Sequence, residues 1–187
     1  MIKVGSRIPD MEAEAYHKGE IKKISFSDYR GKWLVLAFYP ADFTFVCPTE
    51  LEELAENYDE FKENDAELLS ISTDTAYVHK AWHDISEAIG KIDFPMVADP
   101  AARICREFGT FIEEEGVSIR ATFIINPEGM VKAIEMHDNS IGRSAGEILR
   151  KLKAAKYTEE HPGEVCPASW EPGKKTLKVS LDLVGKI

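Results

Sequence analysis

The run "WLVLAFY" at 33–39 is the most apolar stretch of the chain. It is far too short to cross a bilayer, which takes about 20 residues of helix, and its β-forming residues mark a strand. "LLSIST" at 68–73, "TFII" at 122–125 and the weaker "VKAIEM" at 131–136 predict further strands. Amphipathic helical patterns lie between and after them. In 48–64, Leu51, Leu54, Ala55, Tyr58 and Phe61 fall on one face, while Glu52, Glu53, Glu56, Asp59, Glu60 and Glu63 fall on the other. Helices are also predicted over 76–89, 101–108 and 144–156, the last opened by Ser144 and Glu147 at the S-x-x-E spacing of a capping box. Alternating strands and helices imply crossover units about a sheet, and "TFIINPEGMVKAIEM" reads as a hairpin turning at 126–129. The expected fold class is therefore α/β, a mixed central sheet flanked by helices.

After Tyr157 the composition shifts. Pro162, Gly163, Pro167, Pro172 and Gly173 suit an extended C-terminal tail that does not fold on its own, so the expected division is 1–157 and 158–187. With 23 basic against 33 acidic residues, a net charge of −10 argues against nucleic acid as a partner. The opening "MIKVGSRIPD" lacks the apolar stretch of a signal peptide, so the expected location is the cytoplasm, with no membrane association. Three cysteines, an odd number with no close pair, make no disulfide framework and point to reactive sulfur instead.

"PADFTFVCPTE", from Pro40 to Glu50, sets Cys47 at the mouth of the first helix, with Pro48 well placed as the first helical residue. Sulfur there meets unpaired backbone donors and the positive end of the helix dipole. An ordinary thiol is only a few per cent ionised at neutral pH, and a helix terminus offers the anion about 2 kcal/mol at best. Glu50, Glu52 and Glu53 crowd the same turn and oppose it. A nucleophilic Cys47 therefore requires a cation from elsewhere in the fold, together with donors aimed at the atom that gains charge, which Thr44 could supply.

These residues make the chain resemble the peroxiredoxins. Pro40, Thr44 and Cys47 match the family's P-x-x-x-T-x-x-C loop, "GEVCPASW" around Cys166 matches the second-cysteine segment of the typical two-cysteine group, and "SIRATFIINP" and "IGRSAGEILR" hold the expected arginines, Arg120 and Arg143. The similarity covers essentially the whole chain and is strongest to the bacterial alkyl hydroperoxide reductase group. It implies a thioredoxin-like fold, no cofactor, and Arg120 as the cation beside Cys47, which spacing alone does not pick from seven arginines. It also implies a supporting network of Glu50 and Arg143.

The implied activity is reduction of hydrogen peroxide and organic hydroperoxides through a Cys47 sulfenic acid. Cys166 of a neighbouring subunit then resolves it in an intersubunit disulfide, within dimers assembled into a decamer. The implied reductant is a flavoprotein disulfide reductase with a thioredoxin-type domain, or thioredoxin itself. Forming the disulfide is expected to unwind the first turn of the helix once per cycle. The GGLG stretch and Tyr-Phe ending of peroxide-sensitive members are replaced here by "TFIEEEGVSIR" and "LVGKI", which implies resistance to excess peroxide.

Several rival readings remain. His79 and His83 sit four apart on a helix, but "HKAWH" lacks the glutamate of HExxH, and surface or partly buried histidines with no metal are expected. Phe43 and Phe45 flank the cysteine loop as candidate substrate-binding residues, while Trp82 and Trp170 read as core. Cys105, in an amphipathic helix, reads as an inert packed thiol. A thiol-disulfide carrier would show C-x-x-C, which "VCPTEL" does not, and a ring-shaped holdase is the non-enzymatic alternative.

Overall fold

In the computed structural model, which describes residues 2–186, seven strands form one mixed sheet. Strands β1 (Glu12–His17), β2 (Glu20–Ser25), β3 (Trp33–Phe38), β4 (Ala66–Ser72), β5 (Met96–Ala98), β8 (Arg120–Ile125) and β9 (Val131–His137) take the order β2-β1-β5-β4-β3-β8-β9. A small hairpin, β6 (Phe111–Ile112) with β7 (Val117–Ser118), stands apart. Strand β3 is parallel to β4, as β4 is to β5, and the remaining ladders of the sheet are antiparallel. Every residue of β3 and of β8 is buried, as central strands covered on both faces require. Phe26, Phe38, Phe108 and Phe123 pack edge-on or tilted with ring centroids 5.0–6.0 Å apart, contacts worth about 0.5–1.5 kcal/mol each beyond simple burial.

The helices are α1 (Cys47–Glu56), α2 (Tyr58–Glu63), α3 (Ala76–Ile85), α4 (Arg103–Phe108) and α5 (Ala145–Glu160). The helix predicted over 48–64 is thus two. It breaks at Asn57, whose side-chain amide donates to the Glu53 carbonyl (2.7 Å) and competes with the backbone for it. Helix α3 stops at Ile85, short of 89, because Ser86 turns to extended backbone. Helix α4 begins two residues late, where Asp99 accepts from the Arg103 and Cys105 N–H groups (2.9 and 2.8 Å). At the start of α5, Glu53 accepts from the Ala145 N–H (3.1 Å) and the Ser144 hydroxyl (3.4 Å), while Glu147 pairs with Arg150.

The hairpin at 126–129 is present, closed by the Gly129 N–H on the Asn126 carbonyl and the Met130 N–H on Asn126 Oδ1 (both 2.8 Å). Gly129 has φ +83°, and a Cβ there would fall 1.2 Å from the Arg30 guanidinium, so no other residue fits without moving Arg30.

The chain divides into two compact units, the first ending at Ala145 and the second beginning at Gly146. In the second, the segment beyond α5 is not wholly extended. Strands β10 (Glu164–Val165) and β11 (Leu177–Lys178) pair antiparallel, and a 3-10 turn follows at Leu181–Leu183. Trp170 is buried there against Tyr157, with its indole N–H on the Lys174 carbonyl (3.0 Å). Among the described residues, no helix is long and apolar enough to cross a membrane.

Candidate active site

Cys47 is the first residue of α1, Pro48 the second, and the sulfur is wholly buried, at 0 % exposure. The helix mouth contributes less than its position suggests. Val46, at its cap, provides no side-chain hydrogen bond, and the Thr49 and Glu50 N–H groups both turn to the Val46 carbonyl (3.1 and 3.2 Å). What faces the sulfur is Arg120, the first residue of β8, whose Nη1 donates to Cys47 Sγ at 3.3 Å.

Glu50 organises that arginine. The same Arg120 Nη1 donates to Glu50 Oε2 (2.8 Å), and Arg143 clamps the carboxylate with Nε on Oε1 and Nη2 on Oε2 (both 2.9 Å) while its backbone N–H reaches Oε1 (2.7 Å). Arg143 Nη1 is anchored in turn on the Ala121 carbonyl (2.7 Å) and Thr122 Oγ1 (3.2 Å) of β8. Four donors saturate one carboxylate, in the two-pronged geometry that guanidinium matches best. Burial pulls the Glu50 carboxyl upward, but the hydrogen bonds and charge of Arg143, with the charge of Arg120, outweigh it and hold the group below the usual carboxylate value. Two guanidiniums against one carboxylate leave a buried excess of one positive charge, which an anion at Cys47 or a developing oxyanion neutralises.

The reason α1 places these groups together is its period. Cys47 and Glu50 stand three apart on one helical face, so both meet the edge of β8 where Arg120 begins. Gly142, just before Arg143, lets the loop close on that face, since a Cβ there would lie 3.3 Å from Val46 Cγ1.

Other expected site residues are placed differently. Thr44 is half-buried and its hydroxyl donates to the Ala41 carbonyl (3.0 Å), so its hydrogen is already committed. Pro40 is buried at the start of the loop. Phe43 is half-exposed and tilts against Trp82 at 5.8 Å, and Phe45 is 94 % exposed. Cys166, in the second unit, is half-buried with Sγ 3.9 Å from the Ala154 carbonyl. Burial, then the charge of Glu164, pushes its thiol above the ordinary value. Cys105 is buried in α4, and burial with the charge of Asp99 pushes it up to about 12.

Near the site, Asn139 lies outside the sequence reading and His79 departs from it. Asn139 accepts from Arg120 Nε through its carbonyl (3.0 Å) and from the Arg120 N–H through Oδ1 (3.2 Å), fixing the guanidinium from the side opposite Glu50's helix. His79, expected to be at most partly buried, is wholly buried and bonded to Asp42 (2.8 Å), because α3 turns it inward beside Trp82. A polar "DNS" and a histidine in an apolar stripe carry no signal of either role.

The AhpC/TSA family matches residues 4–134, and the C-terminal domain of 1-Cys peroxiredoxin matches residues 154–186. The chain is 50% identical over 184 residues, 98% of each chain, to alkyl hydroperoxide reductase C of Pseudomonas aeruginosa (strain UCBPP-PA14). Among solved structures, Enterococcus faecalis AhpC superposes with a TM-score of 0.86 at 47% identity, covering 89% of this chain and 100% of that one. Reduced Plasmodium vivax 2-Cys peroxiredoxin gives 0.91 at 36% identity, covering 96% and 94%.

Proposed function

The chain belongs to the AhpC/TSA family, as a thiol-dependent peroxidase of the peroxiredoxin kind, and from that premise we propose how its residues divide the work. The substrate is a hydroperoxide and the partner a reductase. Cys47 sulfur attacks one oxygen of the hydroperoxide, the O–O bond breaks, and the departing oxygen takes a proton to leave as water or alcohol. Cys47 is left as sulfenic acid. Arg120 stabilises the negative charge passing from sulfur to the departing oxygen, and Glu50, Arg143 and Asn139 hold Arg120 in place for it. With its hydrogen on Ala41, Thr44 Oγ1 offers a lone pair that accepts the hydroperoxide O–H and orients the attacked oxygen; Pro40 shapes the loop beneath it.

The sulfenic acid then condenses with the Cys166 thiol, forming the disulfide and releasing water before further oxidation. Bonding requires the two Cα atoms to come within about 4.4–6.8 Å, and Cys47 is wholly enclosed in a formed helical turn, so that turn unwinds first. In this reading Cys166 comes from the partner of an antiparallel dimer, dimers assemble into a decamer, and a flavoprotein with a thioredoxin-type domain resets the disulfide in the cytoplasm. Phe43 and Phe45, exposed beside the loop, meet organic substrates or a neighbouring subunit.

The observation that carries the reading is the Arg120 guanidinium 3.3 Å from a buried sulfur, itself locked by a saturated Glu50. Non-reducing electrophoresis after one equivalent of hydrogen peroxide tests the cycle. A dimer-sized band lost in either Cys47→Ser or Cys166→Ser is expected, and a disulfide confined to monomers would refute the intersubunit step.

A further inference from the structure

The loop leading to Cys47 rests on a buried polar group that the peroxide chemistry does not use. The Tyr39 hydroxyl donates to Asp42 Oδ1 (2.7 Å), His79 Nδ1 lies 2.8 Å from Asp42 Oδ2, and the Asp42 N–H donates to Asp74 Oδ2 (2.9 Å). The side chains of Asp42 and His79 are both wholly shielded from solvent. His79 Nε2 faces the Val97 carbonyl at 3.2 Å; a carbonyl only accepts, so that nitrogen carries a hydrogen. One further proton then lies between Nδ1 and Oδ2, and the pair is neutral as a unit whichever atom holds it. Asp42 is thereby tied to the end of β3, the turn after β4, helix α3 and, through His79, strand β5.

The next residue is strained. Phe43 has φ +57°, a left-handed conformation that bulky side chains disfavour and that persists only where the surroundings impose it. Its ring is half-exposed, so packing on the solvent side imposes little. Thr44 then turns back to Ala41, closing the loop around Asp42, and α1 opens at Cys47.

We propose that the Asp42–His79 pair, with Tyr39, is a positioning device for the peroxide-reacting loop: by fixing Asp42 it holds the left-handed turn at Phe43 and sets Thr44 and Cys47 against Arg120. The loop beyond it stays free to unwind. The inference rests on Cys47 being the sulfur that meets peroxide.

Chemistry supplies a rescue. In Asp42→Asn the amide oxygen accepts from Tyr39, the amide nitrogen donates to His79 Nδ1, and His79 keeps its hydrogen on Nε2, so every group is satisfied without charge. Asp42→Ala leaves the Tyr39 hydroxyl and His79 Nδ1 without that partner.

Stopped-flow reaction with hydrogen peroxide decides it, in a Cys166→Ser background to isolate oxidation and with Cys166 intact to follow disulfide formation. Asp42→Ala is expected to slow oxidation about fivefold or more while speeding disulfide formation, and Asp42→Asn to match its parent in both. A merely structural role slows both steps together. The proposal is overturned if Asp42→Ala slows oxidation by less than about fivefold, fails to speed disulfide formation, or is matched in its loss by Asp42→Asn. Should Asp42→Ala fail to fold by circular dichroism, Tyr39→Phe decides: slowing of about threefold or more beside an unaffected Asp42→Asn supports the proposal, and less overturns it. A Cys166→Ser parent that leaves Cys47 unoxidised refutes the Cys47 assignment itself.

Discussion

The segments that carry Cys47 and Cys166 are built in opposite ways. Around Cys47 the ties are buried and long in sequence, with Arg120 reaching the sulfur across 73 residues and Arg143 reaching Glu50 across 93. Around Cys166 they are short: the Ala154 carbonyl lies 12 residues back, Tyr157 donates to Glu164 across 7, and the Thr176 hydroxyl bonds the same carboxylate. Buried long-range ties form and break with the whole domain, whereas short ties near the surface open locally at small cost. The difference matches what each sulfur has to do. In the proposed cycle, Cys47 needs charge arranged in advance of its substrate, and Cys166 has to travel to its partner.

The largest effect that would break this contrast concerns the sulfurs themselves. Cys47→Ser should lower peroxide consumption on the order of a thousandfold or more, while Cys166→Ser keeps a full first oxidation and loses turnover. Rapid-quench thiol titration separates the two. Equal loss of the first oxidation in both variants would erase the division of labour.

Next comes stability. Glu50→Gln leaves two buried guanidiniums without their carboxylate, which should cost about 3–5 kcal/mol in denaturant unfolding, against a far smaller loss for Glu164→Gln on the tail. The pH dependence has a fixed sign. Glu50 is held below its ordinary value of 4.5, so its contribution is complete above that pH and is lost as pH falls through the lowered value. Wild type should therefore lose stability below about pH 4 more steeply than Glu50→Gln, as acid titration by circular dichroism will show.

A smaller effect sharpens the other side. Because burial and then Glu164 push the Cys166 thiol upward, disulfide formation should quicken as pH rises through the thiol range. Glu164→Gln should move that profile toward lower pH and leave Cys47 oxidation unchanged. A shift in the oxidation phase instead would tie the tail to the active site's own electrostatics.

The same contrast explains what the sequence discloses. Strands β3, β4 and β8 are apolar runs of the right length, β9 is a weaker one, and the Cys47 helix carries an apolar stripe, so these are visible in one dimension. The hairpin of β1 and β2 is not, because Glu12 and Glu14 in β1 and Glu20, Lys22 and Lys23 in β2 break up any apolar run and only the Lys18–Gly19 turn, with φ of 51° and 82°, marks it. At the site, Cys47 and Pro48 announce themselves through local helix chemistry, but Arg120 is one of seven arginines and is identified only through the family motif. Asn139 and the Asp42–His79 pair act across the fold and leave no local mark. Long-range ties are the part of a site that a linear reading recovers last.

The central claim is that a preassembled, buried cation makes Cys47 reactive, and it is tested most directly by one rate constant. That is the second-order constant for oxidation of reduced Cys166→Ser by hydrogen peroxide, measured by stopped flow beside its Arg120→Gln derivative. Loss of about 10²–10³-fold in the derivative, from a parent far faster than free cysteine, is expected. A parent no faster than free cysteine, or a derivative equal to its parent, would contradict it.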